Sequence, residues 1–280
     1  MVLNMYISQT VAIKRYETVR DELRVRFPEQ WNAVVSLCSS IPKRIDSDTV
    51  WHYGRDKPCW SNIKVKMGER IAADIRINPD FNSYKTIASN DWEIVMKERG
   101  PSWRKNSNFE LRGSAVQSFV LRLSPGGLAS YLWRLYAIRN LALALENNTL
   151  IIAMVNALAL NQGQLDFDEW EKWSINFSNG VGMGWGAITA YHMLTDLGLT
   201  PKPDIWLTLS TVRMGLLEPE ARSDLPREHF RRFEHAAVRV VIELSKFITP
   251  TAFADDPHSA LREVDKVMME WGRQGLARPM

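Results

Sequence analysis

The sequence predicts an all-α protein of two helical lobes, and three observations carry that prediction. Apolar residues recur at helical spacing wherever a period can be read at all. Alternating runs joined by hairpin turns are absent. Over 280 residues, 45% hydrophobic and 24% charged positions, with 11 Trp, 10 Phe and 7 Tyr, supply apolar area for one or two cores. The same composition excludes disorder, collagen and fibrous structure.

The elements follow in order. Val11, Tyr16, Val19, Leu23 and Phe27 lie three to five apart with charges between them, so 11–27 reads as an amphipathic helix that Pro28 stops. Ile63, Met67, Ile71 and Ile75 share one face of a second helix, which Asn78-Pro79-Asp80 closes as a turn. From Asn82 to Asn108 the pattern dissolves into Asn, Ser, Lys and Gly-Pro and reads as loop. The Pro125-Gly126-Gly127 turn then opens 128–146, apolar on most sides except at Arg134, Arg139 and Asn140, hence a largely buried helix. Residues 149–160 continue in that style. Asp166, Asp168, Glu169 and Glu171 suit the first turns of a helix reaching about Phe177, where the dipole favours negative charge. Phe230, Phe233, Ala237, Val240 and Val241 stripe a helix over 226–247, and a last helix covers 258–272.

Charge is unevenly spread. Residues 1–150 hold 22 Lys and Arg against 15 Asp and Glu, whereas 151–280 hold 13 against 17, so a net charge of +3 conceals a basic half that could face a polyanion. The pairs Lys43-Arg44 and Arg231-Arg232 fit a solvated face as well as they fit phosphate. Cys38 and Cys59 lack CxxC spacing, which excludes a disulfide framework, a four-thiolate zinc site and an iron–sulfur cluster, and suits a reducing cytoplasm. The five His form no metal spacing, so no metal is expected. The first ten residues lack a basic n-region, and the longest apolar run, near 150–160, falls short of the ~20 residues of a membrane span.

One stretch carries chemistry. In 174–216, Gly180, Gly182, Gly184 and Gly186 alternate through Val181, Met183 and Trp185 between the end of one helix and the start of another by Ala187. Glycines permit positive φ and close backbone approach, and exposed N–H groups at a helix start form a concavity for a phosphate. Gly198 closes the second helix, and Pro201-Lys202-Pro203 forces an extended approach to Asp204, which stands at a helix start twenty residues after Gly184. A lone carboxylate linked to a phosphate-gripping hairpin suggests chemistry at a nucleotide's sugar–base bond. Asp204 is equally suited to cap a helix, and the glycines to a tight packing turn with no ligand; cap and catalytic acid are compatible roles.

GVGMGWGAITA followed by KPDIWLTL resembles the signature of the helix-hairpin-helix DNA glycosylase superfamily, over about forty of 280 residues. The resemblance implies two helical lobes with the motif beside the cleft between them: residues 1–110 packed with 217–280 as one, and 111–216 as the other, with the hairpin at 178–187 and a catalytic loop at 200–204. It implies a base flipped from double-stranded DNA and cut from its sugar, with Asp204 stabilising positive charge on the sugar and directing water. Gly180, Val181, Gly182, Gly184 and Trp185 would bind the DNA phosphate, with a monovalent cation at Asn179 to Gly184 as the one cofactor it suggests. Members that also cut the strand carry a hairpin lysine; Gly184 or Gly186 stands there here, so a monofunctional enzyme leaving an abasic site is expected. Trp206 stands where a His is common and Leu207-Thr208-Leu209 where an Arg is, which touches the substrate more than the chemistry. The target is expected to be an oxidised, alkylated or otherwise modified base, hypermodified bases of an invading phage genome being one class. The alternative is a non-catalytic DNA-binding or scaffold protein that keeps the hairpin.

Trp51, His52, Tyr53 and Trp60 lie among polar and turn residues, where stacking on a base or wedging a strand is open to them, although most of 11 Trp must serve packing. Trp185 opens a buried helix and suits the core as well as a DNA contact. A monomer without membrane contact is expected.

Overall fold

The computed structural model describes residues 7–42, 44–60, 65–89, 93–98, 108–112, 128–147, 149–160, 167–217, 234–252 and 257–274. The fold is all-α. Its helices are α1 (Gln9–Arg26), α2 (Pro28–Ser39), α3 (Ser47–Gly54), α4 (Val65–Ile77), α5 (Tyr84–Ser89), α6 (Leu128–Asn147), α7 (Thr149–Leu160), α8 (Phe167–Val181), α9 (Ala187–Asp196), α10 (Ile205–Arg213), α11 (Glu234–Ser245) and α12 (Pro257–Arg273). One short antiparallel ribbon accompanies them, β1 (Glu93–Glu98) with β2 (Asn108–Arg112).

Three sequence expectations change. The span 82–108 is not all loop: it holds α5 and β1, whose Glu93 faces Arg112 and Met96 faces Phe109, with a register shift between Met96 and Glu98. A six-residue helix is too short to display a period, and backbone pairing needs no alternation of side chains. Pro28 does not merely end α1. It is the first residue of α2, where the missing N–H costs nothing. The helix expected to stop near Phe177 runs to Val181, through Gly180. The Pro125-Gly126-Gly127 turn, Asp166, Lys43 and the segment 226–233 with Arg231-Arg232 lie outside the described residues.

Contacts divide the chain into two units, one of residues 1–43, 158–172 and 194–280, the other of 44–157 and 173–193. Helices α1 and α2 pack against α12. α3, residues 57–60 and α5 pack with α6, and Asp204 belongs to the first unit while the glycine hairpin belongs to the second.

In the first unit α12 is the central helix. Residues 260–268 on it are buried, and α1, α2, α10 and α11 all pack against it. Glu263, fully buried, accepts the Tyr16 hydroxyl (3.1 Å) and the backbone N–H groups of Thr251 and Ala252 (2.7 Å each), with Arg20 Nη1 at 3.7 Å. That carboxylate ties α1 and the chain after α11 to α12. Arg262 donates to Thr195 O and to Asp196 (3.0 Å). The α10–α12 approach is close: Ser210 Oγ donates to Met268 O at 2.6 Å, and a Cβ on Gly272 would stand 2.6 Å from Trp206 O.

In the second unit α6 carries α3, α5 and the ribbon. Trp51 Nε1 (2.9 Å) and Arg55 Nη1 (2.7 Å) both donate to Phe81 O, so one carbonyl joins α3 to the turn before α5. Asp56 accepts from Arg76 and lies 3.4 Å from Lys57 Nζ. Arg134, polar on an apolar helix, is buried with its guanidinium 4.3 Å from the centre of the Trp133 ring. Among the described residues no single helix is long and apolar enough to cross a membrane.

Both cysteines are free and buried, Cys38 at 1% and Cys59 at 0% exposure. Burial pushes both thiols up, Cys38 to about 12. A raised thiol stays protonated at neutral pH and is a poor nucleophile. Thiol titration at pH 8 is therefore expected to find no reactive thiol in the native protein and two after denaturation; a reactive thiol in the native state would mean that one of these pockets opens.

Candidate functional site

The hairpin lies between α8 and α9. Gly182 (φ 95°) and Gly184 (φ 100°) take the left-handed conformation that other residues resist, which reverses the chain within four residues. Gly182 N–H returns to Ser178 O (3.0 Å) and closes α8; Trp185 N–H donates to Gly182 O (3.1 Å) and closes the turn. Three side chains secure it. Asn140 Nδ2 donates to Met183 O at 2.7 Å, Trp185 Nε1 to Ala137 O at 2.9 Å, and Ser178 Oγ to Trp185 O. Phe177 meets Trp185 edge to face, with ring centres 5.8 Å apart. The hairpin is thus clamped to α6 by Asn140 and Trp185, independently of any ligand.

This geometry redistributes the expected phosphate contacts. Gly180 and Val181 are the last residues of α8, so their N–H groups belong to the helical ladder. Gly180 is needed for packing: a Cβ there would stand 2.7 Å from Ile151 Cδ1. Trp185 is core, 3% exposed, and its ring is unavailable to DNA. Among the described residues, Met183, Gly184 and Gly186 N–H make no backbone hydrogen bond, and Gly186 precedes the first turn of α9. A Cβ on Gly182 or Gly186 would meet nothing within 4 Å, so the outer side of the turn is open. Of the carbonyls in Asn179 to Gly184, Gly182 O and Met183 O already accept protein hydrogen bonds, and a cation there would share them.

The aromatic candidates separate. Trp51 is 1% exposed and hydrogen-bonded within the core, so it cannot wedge a strand. His52 is exposed and Tyr53 half-buried, their rings edge to face at 5.3 Å. Partial desolvation of the otherwise exposed ring, then the neighbouring Arg55 guanidinium, holds His52 below the usual imidazole range. Trp60 is half-buried and meets His192 of α9 at 6.2 Å between ring centres.

The carboxylate belongs to the other unit. Gly198 (φ 75°) ends α9, where a Cβ would strike Ile41 at 2.9 Å. Pro201 and Pro203 are buried and Lys202 between them is half-buried. Asp204 follows in extended conformation (φ −144°, ψ 143°) as the N-cap of α10, its Oδ1 accepting Trp206 N–H at 2.8 Å and its backbone carbonyl accepting Thr208 N–H at 3.0 Å. Oδ2 makes no hydrogen bond among the described residues and lies 4.0 Å from Lys202 Nζ. Asp204 keeps 19% of its side-chain exposure, so it is neither sequestered in the core nor free in solvent. One oxygen is thus held at the start of α10 and the other faces the Lys202 ammonium.

Two residues named in the sequence take contacts there that the sequence does not assign them. Asn140 stood out only as a polar residue on an apolar helix. Lys202 reads first as a turn residue, and its approach to Asp204 follows from the extended backbone, which sets residues two apart on one side. Among the described residues no group of three or more His, Cys, Asp or Glu is placed to hold a metal ion. Compared with family models, with curated proteins and with solved structures, the chain finds no match.

Proposed function

We propose that this protein is a monofunctional DNA N-glycosylase of the cytoplasm, which flips a modified base out of the duplex and releases it, leaving an abasic site. The observation that carries the reading is Asp204: a partly exposed carboxylate with one oxygen held by Trp206 N–H and the other in no hydrogen bond among the described residues, only in a loose ion pair with Lys202, on a run stiffened by two buried prolines. Such a group can stabilise an oxocarbenium-like sugar and orient water. The amides of half-buried Met183 and exposed Gly186, which make no backbone hydrogen bond among the described residues, suit a backbone phosphate, and His52, Tyr53 and Trp60 suit the displaced base or its partner strand.

A second reading also has support. Asp204 is an N-cap, and capping alone accounts for an aspartate at the start of α10. In that case the hairpin serves a DNA-binding or scaffold protein without bond-breaking function.

Base release separates the two. Incubation with damaged DNAs and with naturally modified DNAs, phage genomes included, followed by mass spectrometry of free bases, is expected to show one modified base released. The strand should remain intact, and borohydride should trap no protein–DNA adduct, because no hairpin lysine is present. Failure to release a base from any DNA in the panel would leave the binding protein as the reading.

A further inference from the structure

We propose that Lys202 is a contact for the DNA backbone phosphate that Asp204 holds in reserve: the arriving phosphate draws the ammonium away and leaves Asp204 Oδ2 open to the sugar. The inference rests on the glycosylase reading of Asp204 and names a further residue of the same site.

Nζ of Lys202 lies 4.0 Å from Asp204 Oδ2, with side-chain exposures of 30% and 19%. That separation is beyond hydrogen-bond length, so the two groups form a loose ion pair that solvent screens. The backbone on either side is not loose. Pro201 and Pro203 are buried with φ restricted by their rings, and Asp204 is pinned by Trp206 N–H and by its place at the head of α10. The lysine side chain is therefore the movable partner of the two.

A resting ammonium at this place opposes the chemistry asked of Asp204. The carboxylate is to stabilise positive charge developing on the sugar, and a cation 4.0 Å away cancels part of its field. The substrate brings the remedy, since each nucleotide carries a phosphate within reach of a four-carbon side chain, and an ammonium is a strong point-charge ligand for phosphate. Strand engagement and unmasking of the carboxylate then occur in one exchange of partners. No proton or covalent bond moves in this exchange.

A double-mutant cycle in DNA binding tests it. Affinity of wild type, Lys202→Met, Asp204→Asn and the double variant for a duplex bearing a reduced abasic site is measured by fluorescence anisotropy over a range of salt. Asp204→Asn releases the lysine and should tighten binding, by up to about five-fold. In the Lys202→Met background that gain should vanish, and Lys202→Met should lower the log–log salt slope by about 0.9. Lys202→Arg keeps the charge and should restore the slope, which a purely structural role would not do. An unchanged slope, or an equal gain from Asp204→Asn with and without the lysine, overturns the proposal. Base release by wild type is assayed in parallel: its absence fails the glycosylase reading, whereas release with an uncoupled cycle fails only the role of Lys202.

Discussion

Asp204→Asn is expected to reduce base release by about 10³-fold while the protein still folds and still binds DNA. The two functions of the side chain can be separated because they use different oxygens. Capping uses Oδ1, which accepts Trp206 N–H, and asparagine offers an equally good carbonyl acceptor there. Charge stabilisation needs the carboxylate, which asparagine lacks. Asp204→Ala removes both, so it should match the loss of activity and also destabilise the fold by about 1 kcal/mol. Activity of Asp204→Asn and Asp204→Ala, set beside their denaturant midpoints, checks this. Equal activity of wild type and Asp204→Asn would reduce Asp204 to a cap.

Glu263→Ala carries the largest expected effect on stability, a loss of roughly 3–5 kcal/mol. Glu263 has no solvent exposure and answers four donors, Tyr16 Oη, the N–H groups of Thr251 and Ala252 and the Thr251 hydroxyl, besides lying 3.7 Å from Arg20. Alanine leaves the buried Tyr16 hydroxyl and Ala252 N–H without an acceptor, and each orphaned group costs its desolvation. Glu263→Gln keeps the shape and one acceptor oxygen, so its loss should be about half as large. Urea denaturation measures both; a Glu263→Ala midpoint equal to that of wild type would mean that water replaces the carboxylate. The same site sets an alkaline limit. Burial, then the Glu263 carboxylate, raises the Tyr16 phenol well above its ordinary value. A raised pKa gives stability that is full below the unfolded value of about 10 and is lost as pH climbs beyond it. Stability should accordingly decline above about pH 10, and Tyr16→Phe should flatten that decline.

The candidate site was legible in the sequence where local rules act. Gly182, Gly184 and Gly198 all adopt positive φ, as tight turns ask of glycine, and Asp204 caps the helix that follows Pro203. It was not legible where burial decides. Trp51 and Trp185 sit beside polar and turn residues in the chain, yet both rings are core and both indole N–H groups are spent on backbone carbonyls. Gly180 and Val181 looked like turn residues because glycine weakens a helix, but the Ile151 side chain packed against Gly180 favours the helical continuation. The short α5 and the β1–β2 ribbon left no period to read.

Amphipathic spacing, the proline and glycine punctuation and the scarcity of cysteine were enough to determine an all-α chain and to single out the hairpin and Asp204, because each depends on neighbours within a turn or two. Which residues share a core was decided only in three dimensions. The gathering of Tyr16, Thr251 and Ala252 on Glu263 and the clamp of Asn140 on Met183 join positions from 11 to 247 apart. The physical reason is range: a dihedral preference acts on its own residue, whereas burial and the demand of a buried polar group for a partner are met by whatever the fold brings near.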